Sequence, residues 1–516
     1  MEASNNNHHQ RGEETVPQTA LPFKYETSRT GGARALAGLP LDLELAQVMG
    51  LRRLIEEHMP ARGDGQGWQD ADIVASLVLL NLAGGEHVSD LELMRRDEGL
   101  LRVLRAVACA GLRRRQRRAK ERLMARAGEV PLPSASTVFR FLPSFHGPEQ
   151  EVEREEGKAV IVPEHPRLRG LWEVSAGLLL VMQRHRPCRE VTLDGDATLV
   201  ETHKAEARHC YKGYKAYQPL NFYVAEWEMV AYSHFRDGNV PCGYRQLDAL
   251  ERALERLPEG VEKVRLRMDT QGYEWELLRY LAEGKNPRFG EVEFAIGADV
   301  TAELKRAAAE LGEEAGQELP GEPGQRRQQW AEVCYVPNAS ATKKEGPEYR
   351  FLVTREVLAQ QPLPGAQLDL PFATMDFAGL GTCKLYAVVT NRQNDGAELI
   401  GWYRKRCGKS EEAHAVMKRD LAGGTMPSGN FGNNAAWWAI LLLALNLNAL
   451  MKRLALGKGL AASRLKAIRR QIICVAARVV EHAREVVVRL SEAHPSTELI
   501  QQVRARILAL APGPAG

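Results

Sequence analysis

An α/β fold built on a mixed sheet, interrupted by a β-rich insertion and flanked by helical regions, is what this sequence predicts. Three observations carry it. Between residues 191 and 298, short apolar–polar alternations are interleaved with helical periods. The second is a stretch from 301 to 384 that breaks into charged and Gly/Pro-rich segments with strand-like runs at Trp330–Val336 and Tyr349–Val353. The third is helical periodicity before and after this centre.

The central alternations are Val191–Thr198, Phe222–Glu226, Met229–Phe235, Lys263–Asp269 and Glu293–Ala298. Helical periods at Cys242–Leu257 and Gln271–Glu283 follow the third and fourth. Three strands, helix, strand, helix, strand gives a mixed sheet, in which a ligand site forms where strand ends diverge. After the insertion, Leu385–Thr390 returns to the sheet, and a further strand-like run is expected at Glu398–Tyr403. A helix then starts at Ser410 as cap, with Glu411 and Glu412 in its first turn.

The chain divides accordingly: a disordered tail over 1–38, a helical region over 39–150, and a linker with one helix over 151–190. The first part of the central core spans 191–300, the insertion 301–384, the second part of the core 385–457, and a helical C-terminus 458–516. Within the last, Arg464–Leu490 reads as an amphipathic basic helix. Net charge is only +3, so the distribution matters more than the total. Arg113–Arg126 is the most basic segment, and Arg113, Arg114, Arg115 and Arg117 in it point to contact with a nucleic-acid backbone. Eight scattered cysteines without a Cys-x-x-Cys pair fit a reducing cytosol. The polar first residues predict no secretory signal. The longest apolar run, Ala435–Leu450, is shorter than the ~20 residues a membrane span needs. Asn446 and Asn448 interrupt it, so burial in protein is expected and no membrane partner.

Acids and cations converge on two places. Glu411, His414 and Lys418 share a helix face beside Arg404, Lys405 and Arg406. Carboxylates can hold a metal and cations a phosphate, which is the chemistry a phosphodiester site needs. In the predicted sheet, Asp269 ends the fourth strand, while Asp194 and Asp196 point to one face of the first.

The order Tyr403, Arg406, Glu411, Lys418, a Met426-Pro427 turn, Asn434-x-x-Trp437 and an apolar helix ending Leu445-Asn446-Leu447 resembles the DDE transposases of bacterial insertion sequences. More narrowly it is similar to the branch whose glutamate lies in a Tyr-x2-Arg-x3-Glu-x6-Lys signature. One extra residue separates Arg406 from Glu411, because Ser410 stands at the expected acid position, so Glu412 stays open beside Glu411. The segment Gly213–Leu220 and the turn Arg236-Asp-Gly-Asn239 also resemble the family.

The resemblance implies an RNase H-like catalytic domain whose acids are Asp196, Asp269 and Glu411, with Asp196 favoured over Asp194 by Thr198 two residues on. These would bind two Mg²⁺ ions, with Mn²⁺ as a substitute. Arg406 and Lys418 would grip phosphates, and Tyr403 would contact the same DNA backbone. The activity implied is cut-and-paste transposition: cleavage at the terminal inverted repeats of double-stranded DNA, then 3′-hydroxyl strand transfer into target DNA. A homodimer in the DNA complex and a cytoplasmic, nucleoid-associated location in a bacterium go with it. An RNase H-like nuclease that cuts without joining, and an inactive DNA-binding regulator, are the alternatives.

Overall fold

The computed structural model describes residues 23–28 and 36–511, apart from 61, 63–66, 111, 127–129, 155–156, 312–314, 322–325, 338–347, 359–371, 378–379 and 483–484. The architecture is mixed α/β. Five strands form its centre: β1 (Glu190–Ala197), β2 (Leu220–Val224), β3 (Met229–His234), β4 (Lys263–Met268) and β5 (Glu293–Ala298). They lie in the spatial order β3-β2-β1-β4-β5. β1, β4 and β5 are parallel, while β2 runs antiparallel to β1 and forms a hairpin with the edge strand β3. Helices Gln246–Glu255 and Trp275–Ala282 connect the later strands, so the strand–helix order expected from periodicity holds.

The insertion joins the same sheet. β6 (Gln328–Val333), β7 (Arg350–Val357) and β8 (Gly381–Thr390) add in antiparallel fashion beyond β5, with Ala387 opposite Ala298 and Thr390 opposite Ala295. A single ten-stranded sheet results.

Behind it lies the helix Phe431–Leu450, every residue of which is buried. It packs on the helices Asp70–Ala83 and Pro166–His185 and on β3. N-terminal helices and the sheet thereby share one hydrophobic core. The helix is apolar on all sides because it is enclosed on all sides, and its few polar groups serve the surrounding elements. Asn446 accepts from the Val230 N–H at 2.8 Å and donates to the Val230 carbonyl at 3.0 Å. A side-chain amide thus completes the outer edge of β3, which would otherwise present unpaired backbone.

Three expectations are corrected. Glu398–Tyr403 is not a strand but part of the helix Gly396–Arg404, whose cap is Asp395 accepting from the Ala397 and Glu398 N–H groups. Ser410 does not cap the next helix: Lys409–Ala415 is preceded by Gly408, and Ser410 is buried inside it. Arg464–Leu490 is not one basic helix. After short helical turns to Ile473 it forms a hairpin, Ala477–His482 and Glu485–Ser491. The second hairpin strand pairs in parallel with Phe23–Ser28, a strand inside the expected disordered tail, most of which lies outside the described residues. The basic residues that suggested a helix have structural work: Arg464 clasps Asp420, and Arg469 donates to the carbonyls of Asn81, Leu82 and Asp420.

Candidate active site

The neighbouring strands β1 and β4 run in register, Asp194 opposite Arg267. With a side-chain period of two, Asp194 and Asp196 share a face of β1, and Arg267 and Asp269 are the matching pair on and just beyond β4. Each level does something different. Lower in the sheet, Arg267 holds Asp194 in a bidentate ion pair, Nε–Oδ1 2.6 Å and Nη2–Oδ2 2.8 Å, with both side chains buried. The remaining arm of Arg267 donates to the Trp402 carbonyl at 2.6 Å, tying the helix Gly396–Arg404 onto the strands.

One step higher, Asp196 has no such partner. Burial pushes its carboxyl up to about 7, and the fields of Asp269 and Glu411 add to the shift while Arg406 opposes it. The nearest cation is the Arg406 guanidinium, 3.4 Å from Asp196 Oδ2. Asp269 ends the strand and accepts from the Gln271 N–H at 3.1 Å, capping a short turn. Its pKa is also raised, by burial, with Arg406 pulling it down. Capping and facing the cation are compatible, since a carboxylate has lone pairs for both.

Arg406 follows the helix Gly396–Arg404 and is itself only 8% exposed. Its Nε has no hydrogen-bond partner among the described residues, although it is buried. Tyr403, one turn earlier, lies against β5. A Cβ at Gly297 would stand 2.8 Å from the Thr270 nitrogen and 3.0 Å from the Tyr403 hydroxyl, so this close approach needs glycine. Burial lifts the Tyr403 phenol to about 12.

Glu411 is exposed in the first turn of Lys409–Ala415, where it accepts from the Gly408 N–H. Glu412 makes a surface pair with Lys409 and lines a different cleft, alongside Lys452 and Arg453. Among the described residues, no group of three His, Cys, Asp or Glu side chains stands close enough to hold a metal ion. The expected ligands therefore converge electrostatically on Asp196 without forming a closed cage. As hard oxygen donors they suit a divalent ion.

His414 and Lys418 complete the surroundings. The helix changes to a π-helical turn over Val416–Asp420, so Lys418 is not carried round to the position that regular helical spacing implies. Its amine donates to the Leu199 carbonyl at 3.3 Å, just beyond the strand bearing Asp196. His414 lies 3.4 Å from the Asn221 amide, and burial pushes its pKa down to about 4, so the ring is neutral near pH 7. Asn221 sits opposite Asp196 in the sheet and is held by Ser233, which in turn accepts from Trp438.

Arg113, Arg114, Arg115 and Arg117 lie apart from this site, exposed around the start of the helix Arg114–Arg126 in the N-terminal region. The Asp194–Arg267 pair and Asn221 were missed by sequence reasoning. An arginine two residues before Asp269 was the available sign of the first; nothing local marked the second.

The Asn434-x-x-Trp437 spacing has a structural reason. Asn434 accepts from the Ser428 N–H and donates to its carbonyl, and Trp437 donates to the Ala422 carbonyl. Asn81 takes the Ala422 N–H from the other side. The segment between the glutamate helix and the buried helix is thus held at both ends.

The central strands thus end on acids that face the buried guanidinium of Arg406. The chain matches Transposase DDE domain group 1 over residues 28–512 and belongs to that family of enzymes acting on DNA. The family is generally dependent on divalent metal. Among solved structures the chain is similar to one described as the cryo-EM structure of piggyBac transposase synaptic complex with hairpin DNA. That likeness has 10% identity and a TM-score of 0.36, over 91% of this chain and 86% of the other. No curated protein matches the chain.

Proposed function

We propose that this transposase carries out cut-and-paste movement of a bacterial insertion sequence, cleaving the element's ends and joining the freed 3′-hydroxyl to target DNA. The observation that carries the reading is the crowding at Asp196: a half-buried carboxylate in the fields of Asp269 and Glu411, with a half-satisfied arginine at 3.4 Å. Asp196, Asp269 and Glu411 are the residues that would hold Mg²⁺, or Mn²⁺ in its place. A bound pair of such ions activates the attacking oxygen and stabilises the leaving one.

The chain's own groups do the rest. Asp196 and Asp269 are fixed by adjacent strands, so they are preorganised, whereas Glu411 must exchange its bond to Gly408 for the site. Arg406 offers its unpartnered N–H to a phosphate oxygen, a stronger contact for being partly dry. The Tyr403 phenol interacts with it and helps to orient it. Lys418 carries a compact ammonium to the rim. The exposed arginines of residues 113–117 hold double-stranded DNA at a distance from the chemistry, and two copies of the chain hold the two ends. The test is a paired assay on DNA carrying the element's terminal repeats with Mg²⁺. Cleaved ends that then become covalently joined to a target plasmid support transposition. Cleavage with no joined product would leave a nuclease, and binding without either would leave a regulator.

A further inference from the structure

The segment between Asp196 and β2 folds into a small sheet of its own, which the chemistry of the three acids does not require. Val200–Glu201 and Arg208–His209 both pair with Lys215–Tyr217. Its base is locked into the core. Tyr217 is fully buried, accepts from Asn434 at 3.1 Å and stacks near Phe235 and Phe431. The Arg236-Asp-Gly-Asn239 turn grips it from below: the Gly238 N–H donates to the Ala216 carbonyl, and a Cβ at Gly238 would stand 2.4 Å from that oxygen. Asp237 is tied to Arg154, which also reaches Glu206. Both segments that resemble the family are therefore struts of this hairpin.

The tip is of the opposite character. Tyr211 is 73% exposed, the most open large hydrophobic side chain among the described residues, and the Lys212 ammonium stands 5.7 Å from its ring centre. Lys212 makes no ion pair among the described residues, nor do Lys418 and Arg419. These cations crowd one another, since Arg419 and Lys212 both lower the pKa of the Lys418 amine after burial has done so. Like charges assembled without a counter-charge are unfavourable in the free protein and favourable only against a polyanion. A single exposed tyrosine is unremarkable by itself; one on a rigid support among unpaired cations, anchored beside the strand of Asp196, fits a ligand with both flat faces and phosphates.

We propose that the hairpin tip receives the end of a DNA strand beside the scissile phosphate, with Tyr211 stacking on an exposed nucleobase and Lys212 and Lys418 taking the flanking phosphates. This rests on the transposase reading and adds a strand-positioning contact to it. A base inside a duplex offers no free face, so the contact selects an unpaired or terminal base.

The experiment compares full-length protein and its Tyr211→Ala, Tyr211→Phe and Lys212→Gln variants. Each is titrated by fluorescence anisotropy with a short oligothymidylate and with a relaxed, covalently closed duplex minicircle, which has neither ends nor unpaired bases. Tyr211→Ala should weaken binding of the single strand on the order of tenfold, with Tyr211→Phe close to wild type and duplex binding unchanged. Lys212→Gln should reduce the log–log salt slope for the single strand by about 0.7. Equal single-strand affinity for wild type and Tyr211→Ala, with thermal unfolding of both unchanged, would overturn the proposal while leaving the transposase reading standing. Failure of the wild-type protein to bind either DNA would overturn both.

Discussion

Asp194 and Asp196 stand two residues apart on one face of one strand, and their neighbours assign them opposite tasks. Asp194 is neutralised by Arg267 in a dry ion pair, so its contribution is to the fold. Removing one partner of such a pair strands a buried charge at a cost on the order of 3–5 kcal/mol. Asp194→Asn should therefore lower the urea midpoint sharply, whereas the paired change Asp194→Leu with Arg267→Met should recover most of the loss. Asp196→Asn should keep the fold and lose end cleavage. A stable Asp194→Asn protein beside an unfolded Asp196→Asn would reverse the assignment. Lys418 is a second residue-level case. Its bond to the Leu199 carbonyl is half-buried, so Lys418→Ala should lose only about 1 kcal/mol of stability. Single-turnover cleavage should slow on the order of tenfold or more. Arginine should rescue only in part, because a planar fork does not replace a compact ammonium. A wild-type rate for Lys418→Ala would leave the amine as a strut for the Leu199 loop.

Among the elements, the buried helix Phe431–Leu450 organises the rest, and it was the most legible part of the sequence because apolar composition on every side has one meaning. Its polar residues were legible as a pattern but not as contacts, since each reaches a strand or turn remote in sequence. Asn446→Ala should leave the Val230 N–H unpaired at the sheet edge and cost about 1–3 kcal/mol in unfolding measurements. The helix Gly396–Arg404 was read as a strand because Leu399, Ile400, Trp402 and Tyr403 suit strands; Asp395, its cap, outweighed that composition. The hairpin Ala477–Ser491 was hidden for another reason. Its Phe23–Ser28 partner lies more than four hundred residues away, and periodicity over a short window does not see such pairing. At the first N-terminal helix, burial lifts Asp42 to about 7, with Arg469 opposing. The unfolded chain ionises this group near ~4, so stability falls as pH rises between the two values. Asp42→Asn should flatten that fall and raise stability at pH 8 on the order of 2–4 kcal/mol, read from urea curves at pH 4 and pH 8.

At the scale of the molecule, a common core binds the N-terminal helices to the central sheet, and the helix that begins among the exposed arginines at 113–117 is tied to those helices by the Lys120–Asp72 pair. Replacing Arg113, Arg114, Arg115 and Arg117 with Gln should weaken binding to all duplex DNA. For every phosphate left without its arginine, the salt slope should fall by about 0.9. The order of strands was legible from alternation, and of the three proposed acids so was Asp269 at the end of the fourth; alternation left Asp194 and Asp196 open, and only the resemblance preferred Asp196. The third acid could be placed only through the resemblance, since its helix follows an insertion that extends the same sheet. The proposed function makes cleavage depend on Asp196, Asp269 and Glu411 working together. Its single-turnover rate on DNA carrying the element's ends, in Mg²⁺ and at saturating protein, should be abolished by Asp269→Ala and equally by Glu411→Ala, with end binding intact. Cleavage at the wild-type rate by either variant would contradict that joint role.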